Sequence, residues 1–307
     1  MVPVLVIGEL NVDLILSGRG DLPAFGTEIT VQDFAMTLGS ASAICASGLA
    51  RLGRPVSFAG KVGQDPWGDY CLRVLGEAGV TVDAVIRDPR AKTGVTVSIT
   101  AAHDRALVTY PGAMATFMAS DLPDGLFASK GHLHVSSFYL QSGIRASWCT
   151  VFEQARASGW TISLDPGCDP AGAWDPDLVA LLPFVDVLLP NEVELEALTG
   201  RADPVEAVRH LANGHTLTIA KLGARGAMAL VDDHAVLVAP PLMTPVDTTG
   251  AGDSFNAGFL HAWLDGQSVR ASLRSGVACG ALSTQGLGGV AAQPTSDALA
   301  RCLEGAW

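Results

Sequence analysis

The sequence predicts an α/β protein with a doubly wound, mostly parallel sheet flanked by helices. Three observations carry that prediction: short apolar runs recur along the chain, helix-like stretches separate them, and the first run is β-rich and ends in Gly, as a buried parallel strand does. The first run is PVLVIG at 3–8. VSFAG (56–60), GHLHVS (131–136), TISLD (161–165), VDVLLP (185–190) and TLTIAKLG (216–223) follow. Helical stretches lie at 42–52, 68–78, 145–158, 192–199 and 203–212. Alternation of this kind builds βαβ units. Ligands of such sheets bind outside the carboxyl ends of the strands, where this chain places Asp13, Asp165, Asn191 and Gly223.

Two segments break the alternation. Residues 27–36 (TEITVQDFAM) and 94–110 (GVTVSITAAHDRALVTY) are β-branched with period two and no helix between neighbouring runs. They read as hairpin material projecting from the main sheet, either a mobile cover or a fixed edge extension. Near the end, 268–285 (SVRASLRSGVACGALSTQ) has the small and apolar residues of a tightly packed helix. GLGG at 286–289 then stops the helix or brings backbone close to a flat base such as adenine.

Composition narrows the functional classes. At 307 residues, 49% hydrophobic, the chain holds enough apolar material for one large α/β domain or two smaller ones. Thirty-one acidic against 19 basic residues give a net charge of −12 without a basic run, which argues against nucleic acid as a partner. A phosphate bound here would lean on backbone amides and a metal ion. The cysteines (Cys45, Cys71, Cys149, Cys168, Cys279, Cys302) form no CxxC pair and read as small core residues in a reducing compartment. His132 and His134 alternate in a strand-like run, as packing residues or as a metal pair. VPVLVIG is too short for a signal or a membrane span, so the expected location is the cytoplasm.

The chemistry concentrates in DTTGAGDSFNAGFL, Asp247–Leu260. Gly250, Ala251 and Gly252 leave backbone N–H groups uncovered at the start of an apolar helix, where the helix dipole adds positive charge. Such a site holds an anion, most often phosphate. Asp253 beside it would repel that anion as a ligand, but serves as a base for a hydroxyl attacking phosphorus. The plainer alternative is loop punctuation with Asp253 and Ser254 as helix caps. A dinucleotide fingerprint fits poorly, because Phe255 stands at the third small position and the segment lies late in the chain. A Walker A loop is excluded at Gly60-Lys61: Val62 follows, and Pro55 stands at its leading Gly.

DTTGAGDSFNAGF resembles the C-terminal signature of the ribokinase-like (PfkB) carbohydrate kinases. Further blocks resembling that family follow its order over nearly the whole chain: GELNVDL (8–14), LGSASAICASGLARLG (38–53), GKVGQDPWGDY (60–70), KTG (92–94), DPG (165–167), PNEVELEALTG (190–200) and KLGARGA (221–227). The resemblance implies a single kinase domain over 1–307, with a small β lid from segments at about 10–36 and 92–113. A lid suits a kinase, since an open phosphoryl site lets water compete with the sugar. The lid's apolar face needs cover, and in the family a second lid often provides it, so a homodimer is expected.

The resemblance also distributes roles. Asp253 would be the base and the Gly250–Gly252 backbone the anion hole. Asp13 would accept sugar hydroxyls, with Gly39 and Ser40 lining the sugar pocket. Asn191 and Glu194 form an N-x-x-E pair that in the family places Mg²⁺ through water; by spacing alone the pair is equally a helix cap. Asn191, Lys221, Gly223, Gly226 and Thr248 would lie at the nucleotide, with Lys221 standing where relatives often have Thr. Asp247 and Thr248 resemble the start of a monovalent-cation loop, with K⁺ the candidate ion. ATP and Mg²⁺ are the expected cosubstrate and metal, and a small sugar the partner.

One departure bears on specificity. Aligning on GLARLG puts Ser40 at the family's second Gly and Ile44 at its sugar-binding Asn. Ile44 has no hydrogen bond to give. The acceptor therefore stays open among a keto-sugar, a deoxy-sugar acid and a nucleoside. Rival readings are a nucleoside kinase, a non-catalytic sugar- or nucleotide-binding relative, and a dinucleotide oxidoreductase.

Overall fold

The computed structural model of the protein describes residues 1–17, 25–100, 105–174 and 176–305. Strand β1 (Val4–Ile7) opens the chain, and β2 (Asn11–Ser17) and β3 (Asp33–Leu38) follow it. Helix α1 (Ala41–Arg51), β4 (Val56–Gly63), α2 (Pro66–Glu77) and β5 (Val80–Asp88) form the next units. A hairpin of β6 (Gly94–Thr100) and β7 (Arg105–Tyr110) precedes β8 (His132–Val135), α3 (Trp148–Ala157) and β9 (Thr161–Leu164). Then come α4 (Asp177–Leu181), β10 (Val187–Leu188), α5 (Glu192–Thr199), α6 (Pro204–His210) and β11 (Leu217–Lys221). The hairpin β12 (Ala227–Val231) and β13 (His234–Val238) leads into α7 (Ala251–Leu264), α8 (Val269–Ser283) and α9 (Ser296–Gly305).

Among the described residues the strands form two sheets. The larger has the order β13-β12-β11-β10-β9-β8-β1-β4-β5. Its strands from β11 to β5 pair in parallel, and β12 and β13 add an antiparallel edge. The order reverses at β1, which lies between β4 and β8, so the switch point of the sheet opens beside the first strand. Period-two alternation assigns the strand residues to two cores. Leu5 and Ile7 pack in the one that includes Trp148, Val135 and Leu164; Val4 and Val6 pack in the one with Phe58, Phe255 and Phe259. Helix α7 is apolar nearly all round because it is enclosed between α1 and α8.

The smaller sheet has the order β3-β2-β6-β7, with β2 and β6 parallel and the outer pairs antiparallel. Its register gives it two faces. Asp13, Thr96 and Thr109 stand abreast on one, while Met36, Leu14, Val97 and Val108 stand abreast on the other. This small sheet fits the lid of the expected fold, and its strands fall at 11–17, 33–38, 94–100 and 105–110. The 27–36 segment enters the sheet only from Asp33, and its antiparallel partner is Asn11–Ser17.

Element boundaries follow capping chemistry. Asp65 caps α2, accepting from the Gly68 N–H at 2.9 Å, with Pro66 opening the helix. The stretch expected to be helical at 145–158 is a helix only from Trp148; its first residues form a tighter turn. Strands β5, β12 and β13 went unread in the sequence. The cysteine reading holds for Cys45, Cys71 and Cys279, which are buried, and fails for Cys149 and Cys168, which are exposed. His132 and His134 are buried and joined to hydroxyls: Ser163 Oγ lies 2.7 Å from His132 Nε2 and from His134 Nδ1.

Candidate active site

The carboxyl ends of β1 and β8, the start of α1, the lid and the start of α7 enclose a cavity of about 180 Å³. Asp253 lies on its wall, so the cavity and the Gly-Ala-Gly turn meet at this carboxylate. Gly250 begins α7 with φ of 71°, a left-handed conformation that favours glycine. The Ala251 N–H closes a turn on the Thr248 carbonyl at 3.2 Å. Of the three amides expected to cradle an anion, Ala251's is therefore engaged by the turn. Gly252 is exposed in the first helical turn, where N–H groups lack intrahelical acceptors.

Asp13 and Asn11 project from β2 into the same cavity. Asn11 Nδ2 donates to Asp13 Oδ1 at 3.1 Å and to Thr96 Oγ1 at 2.8 Å, which joins the aspartate to the lid. Gly39 lies directly behind: a Cβ built on it would stand 2.1 Å from Asp13 Oδ1. Ser40 caps α1, accepting from the Ala43 N–H at 3.1 Å and donating to the Glu9 carbonyl at 2.5 Å. Its φ of 73° explains why a glycine is at home at that position in the resembling family. Ile44 is buried and packs against Gly250 and Gly289, so the GLGG turn lies against the start of α7 and α1. Gly288 donates to Asp247 Oδ2 at 2.8 Å.

A second group of polar residues, none of them among the cavity lining, lies beside the α7 start. Lys221, at the end of β11, reaches Asp165 Oδ2 at 2.6 Å and Asn256 Oδ1 at 3.4 Å. Asn256 Nδ2 donates to the same Asp165 oxygen at 2.5 Å. Burial alone would push Lys221 down, but Asp165, Glu194 and Asp253 outweigh it and hold the ammonium above the usual lysine range. Burial and the Asp165 charge push Glu194 up to about 7.

Asn191 and Glu194 form a reciprocal cap. Asn191 Oδ1 accepts from the Glu194 N–H at 2.9 Å, and Glu194 Oε2 accepts from the Asn191 N–H at 2.8 Å. The cap alternative is thus realised, and one Glu194 oxygen remains beyond it. Asp247 is occupied by the loop: Oδ1 accepts from the N–H and hydroxyl of Thr249, and Oδ2 from Gly288. Thr248 and Gly223 are exposed, whereas Gly226 is buried with its α-carbon against β13. A Cβ on Gly226 would stand 1.9 Å from the Val238 carbonyl oxygen, so this glycine serves the hairpin packing rather than an open surface.

Sequence reasoning missed Glu9, Asn11, Thr96, Ser98, Thr109 and Ser137 on the cavity wall, and Asn256 beside Lys221. A signal for the lid residues was present: in GVTVSIT the hydroxyl residues recur with period two among apolar ones. Nothing local marks Asn256 or Glu9, whose partners are distant in sequence.

A doubly wound sheet with a lid, an acidic residue at a glycine-rich helix start and a hydroxyl-lined cavity define a small-molecule phosphotransferase. The pfkB family carbohydrate kinase model matches residues 1–296. The chain is 32% identical over 288 residues to 2-dehydro-3-deoxygluconokinase of Bacillus subtilis, covering 89% of this chain and 88% of that protein. Its structure is similar to that of Arabidopsis thaliana ribokinase complexed with ribose and ATP, with a TM-score of 0.85, 26% identity and 99% of each chain covered. It is likewise similar to a double mutant of Vibrio cholerae fructokinase in a fructose-, ADP- and potassium-bound form. That match has a TM-score of 0.84 and 27% identity, covering 99% of this chain and 98% of that one. The protein belongs to the pfkB family of carbohydrate kinases.

Proposed function

We propose that this carbohydrate kinase transfers the γ-phosphoryl group of ATP to a primary hydroxyl of a small neutral sugar, with Asp253 as the base. The observation that carries the reading is the position of Asp253, on the wall of the hydroxyl-lined cavity and one residue beyond exposed Gly252. The acceptor oxygen attacks the γ-phosphorus, its proton passes to the Asp253 carboxylate, and the bond to the bridging oxygen breaks with its electrons leaving on ADP. The amides of Gly250 and Gly252 would stabilise the charge on the group in transfer. The two related structures named with ATP and ADP support the nucleotide.

Charge supports a neutral acceptor. Glu9, Asp13 and Asp253 line the cavity, and no Lys, Arg or His does so among the described residues. An anionic acceptor would meet repulsion that no cation among the described lining residues offsets. Asp13, Asn11 and the lid hydroxyls of Thr96 and Thr109 instead offer hydrogen bonds to a polyol. An ADP-release screen over fructose, ribose, ketodeoxygluconate, adenosine and pseudouridine tests this. Fastest turnover with the sugar acid would refute the neutral-acceptor reading, and a nucleoside in first place would select the nucleoside-kinase alternative. Asp253→Asn should keep nucleotide affinity and lose about 10²–10⁴-fold in kcat.

Mg²⁺ fits the donor set. Glu194 is a buried carboxylate with an oxygen beyond its cap, and oxygen ligands suit this ion. Among the described residues no three His, Cys, Asp or Glu side chains cluster to hold an ion alone, so nucleotide phosphates and water would complete its shell. When bound, the ion would offset phosphate charge; Glu194 would orient its water. For K⁺ the fit is weaker, because Asp247 already accepts from three donors. The lid's outer face exposes Phe34, Met36 and Val108, which supports a homodimer through facing lids. Sedimentation of Val108→Lys as a monomer against a wild-type dimer would test it. Six free cysteines suit a reducing cytoplasm.

A further inference from the structure

We infer that Lys221 is a catalytic residue of this kinase, its ammonium binding the γ-phosphoryl oxygens beside Gly252 as the bond to ADP breaks. The inference deepens the kinase reading and rests on it. Lys221 Nζ lies 3.6 Å from the position a Cβ on Gly252 would take, so the cation stands next to the helix start. Asn256 lies one turn along α7 from Gly252, and it orients the ammonium toward that face. Asp165 and Asn256 use two of the three N–H donors, which leaves the third for a ligand. The side chain is 12% exposed, so the cation is anchored without being sealed off.

A merely structural counter-ion for Asp165 fits less well. Asp165 already accepts from Asn256 through Oδ2 and from the Gly167 N–H through Oδ1. Lys221 instead supplies the single ammonium in a group holding three carboxylates, Asp165, Glu194 and Asp253. A triphosphate brought there adds several negative charges. A fixed cation next to the exposed amide lowers the energy of the charge that grows on the transferred group. At this place a neutral threonine would offer a hydroxyl without the charge.

The test separates this role from charge neutralisation. Lys221→Met is compared with the double variant Asp165→Asn/Lys221→Met, in which the directly paired carboxylate of Asp165 is removed together with its cation. The single variant should lower the thermal midpoint by roughly 5–10 °C, and the double should recover most of that loss. Both should fall by about 10²-fold in kcat, the scale of one lost transition-state donor. Calorimetry should show about tenfold weaker binding of a non-hydrolysable ATP analogue to the double variant and ADP binding within twofold of wild type. Recovery of kcat in the double variant, or unchanged analogue affinity, would overturn the inference. If the single variant fails to fold, the double variant carries the test. Absence of ADP release by the wild type with every acceptor would instead refute the kinase reading.

Discussion

Replacing Gly39 with alanine should damage acceptor binding while sparing the nucleotide site. The new Cβ would stand 2.1 Å from Asp13 Oδ1, 2.5 Å from its Cγ and 3.0 Å from Asn11 Nδ2. Nonbonded contacts at a Cβ start near 3.0 Å, so the carboxylate must retreat by at least 3.0 − 2.1 = 0.9 Å. The backbone of Gly39 cannot yield instead, since its N–H is bound to the Asn11 carbonyl at 3.0 Å. Asp13 can swing, but only by breaking its 3.1 Å bond with Asn11 and leaving the row it forms with Thr96. A displacement of about 1 Å in a positioning group costs on the order of 10²-fold. The same figure follows from losing charge-assisted hydrogen bonds to hydroxyls, about 1.5–3 kcal/mol each. The assay is kcat/KM for the fastest acceptor from the screen, run beside KM for ATP and a thermal melt. Acceptor kcat/KM within threefold of wild type, in a folded variant, would refute the placement of Asp13 as a sugar ligand.

Two further predictions concern ionisation. Glu194→Gln keeps a side chain able to close the N-terminal cap, so the fold should hold; the half-saturating Mg²⁺ for wild type should fall by up to about tenfold per pH unit as pH rises toward 7, and the variant should lose that dependence. A flat wild-type profile would exclude Glu194 from the ion's water shell. Burial holds His134 down to about 4 against the pull of Asp165, so the folded protein binds this proton less well than the unfolded chain. That contribution is harmless above about pH 6.5 and costs roughly 2 kcal/mol by pH 5. Glu194 acts oppositely: its raised folded pKa adds stability below the unfolded value that is lost as pH rises through about 7, again roughly 2 kcal/mol between pH 5 and 7. The two slopes nearly cancel, so wild-type denaturant midpoints conceal both. On going from pH 7 to 5, His134→Gln should gain about 2 kcal/mol relative to wild type and Glu194→Gln should lose about as much. Parallel profiles for all three proteins would show that neither group titrates as described.

The residues legible in the sequence were those whose function depends on local chain chemistry. The glycine-rich start of α7 is contiguous from Gly250 to Asp253, and its order in the chain states its geometry. Parallel strands are marked by apolar runs because both faces are covered. The lid could be placed because its hydroxyl and apolar residues alternate, yet its partner strand Asn11–Ser17 is set by pairing across distant segments. Asn191 and Glu194 marked a helix start correctly, and spacing alone could not divide their work between cap and metal. Lys221 was legible from its block, but its partners were not: Asp165 and Asn256 meet it from positions 56 and 35 residues away in sequence.

Charge placement also bears on how an acidic chain would take a highly anionic cosubstrate and the neutral acceptor proposed above in separate places. With a net charge of −12, long-range attraction cannot draw ATP in, and local donors must do so. They would lie at the start of α7, where Lys221 stands next to exposed Gly252. The cavity is lined by carboxylates and hydroxyls and holds none of that group. A triphosphate misplaced there would face Glu9 and Asp13, while a polyol misplaced beside Lys221 would leave a charged pair desolvated without gain. Asp253 stands at the boundary and is the one carboxylate both ligands would meet. On the proposed reading, nucleotide and ion would relieve the repulsion among Asp165, Glu194 and Asp253 on the side where Asp253 would meet the hydroxyl. The Asp253→Asn variant should accordingly bind nucleotide at least as tightly as wild type, since it removes a like charge from the phosphate side. Weaker nucleotide binding in that variant would mean the carboxylate is a ligand-positioning group, and the division of charge across the turn would lose its meaning.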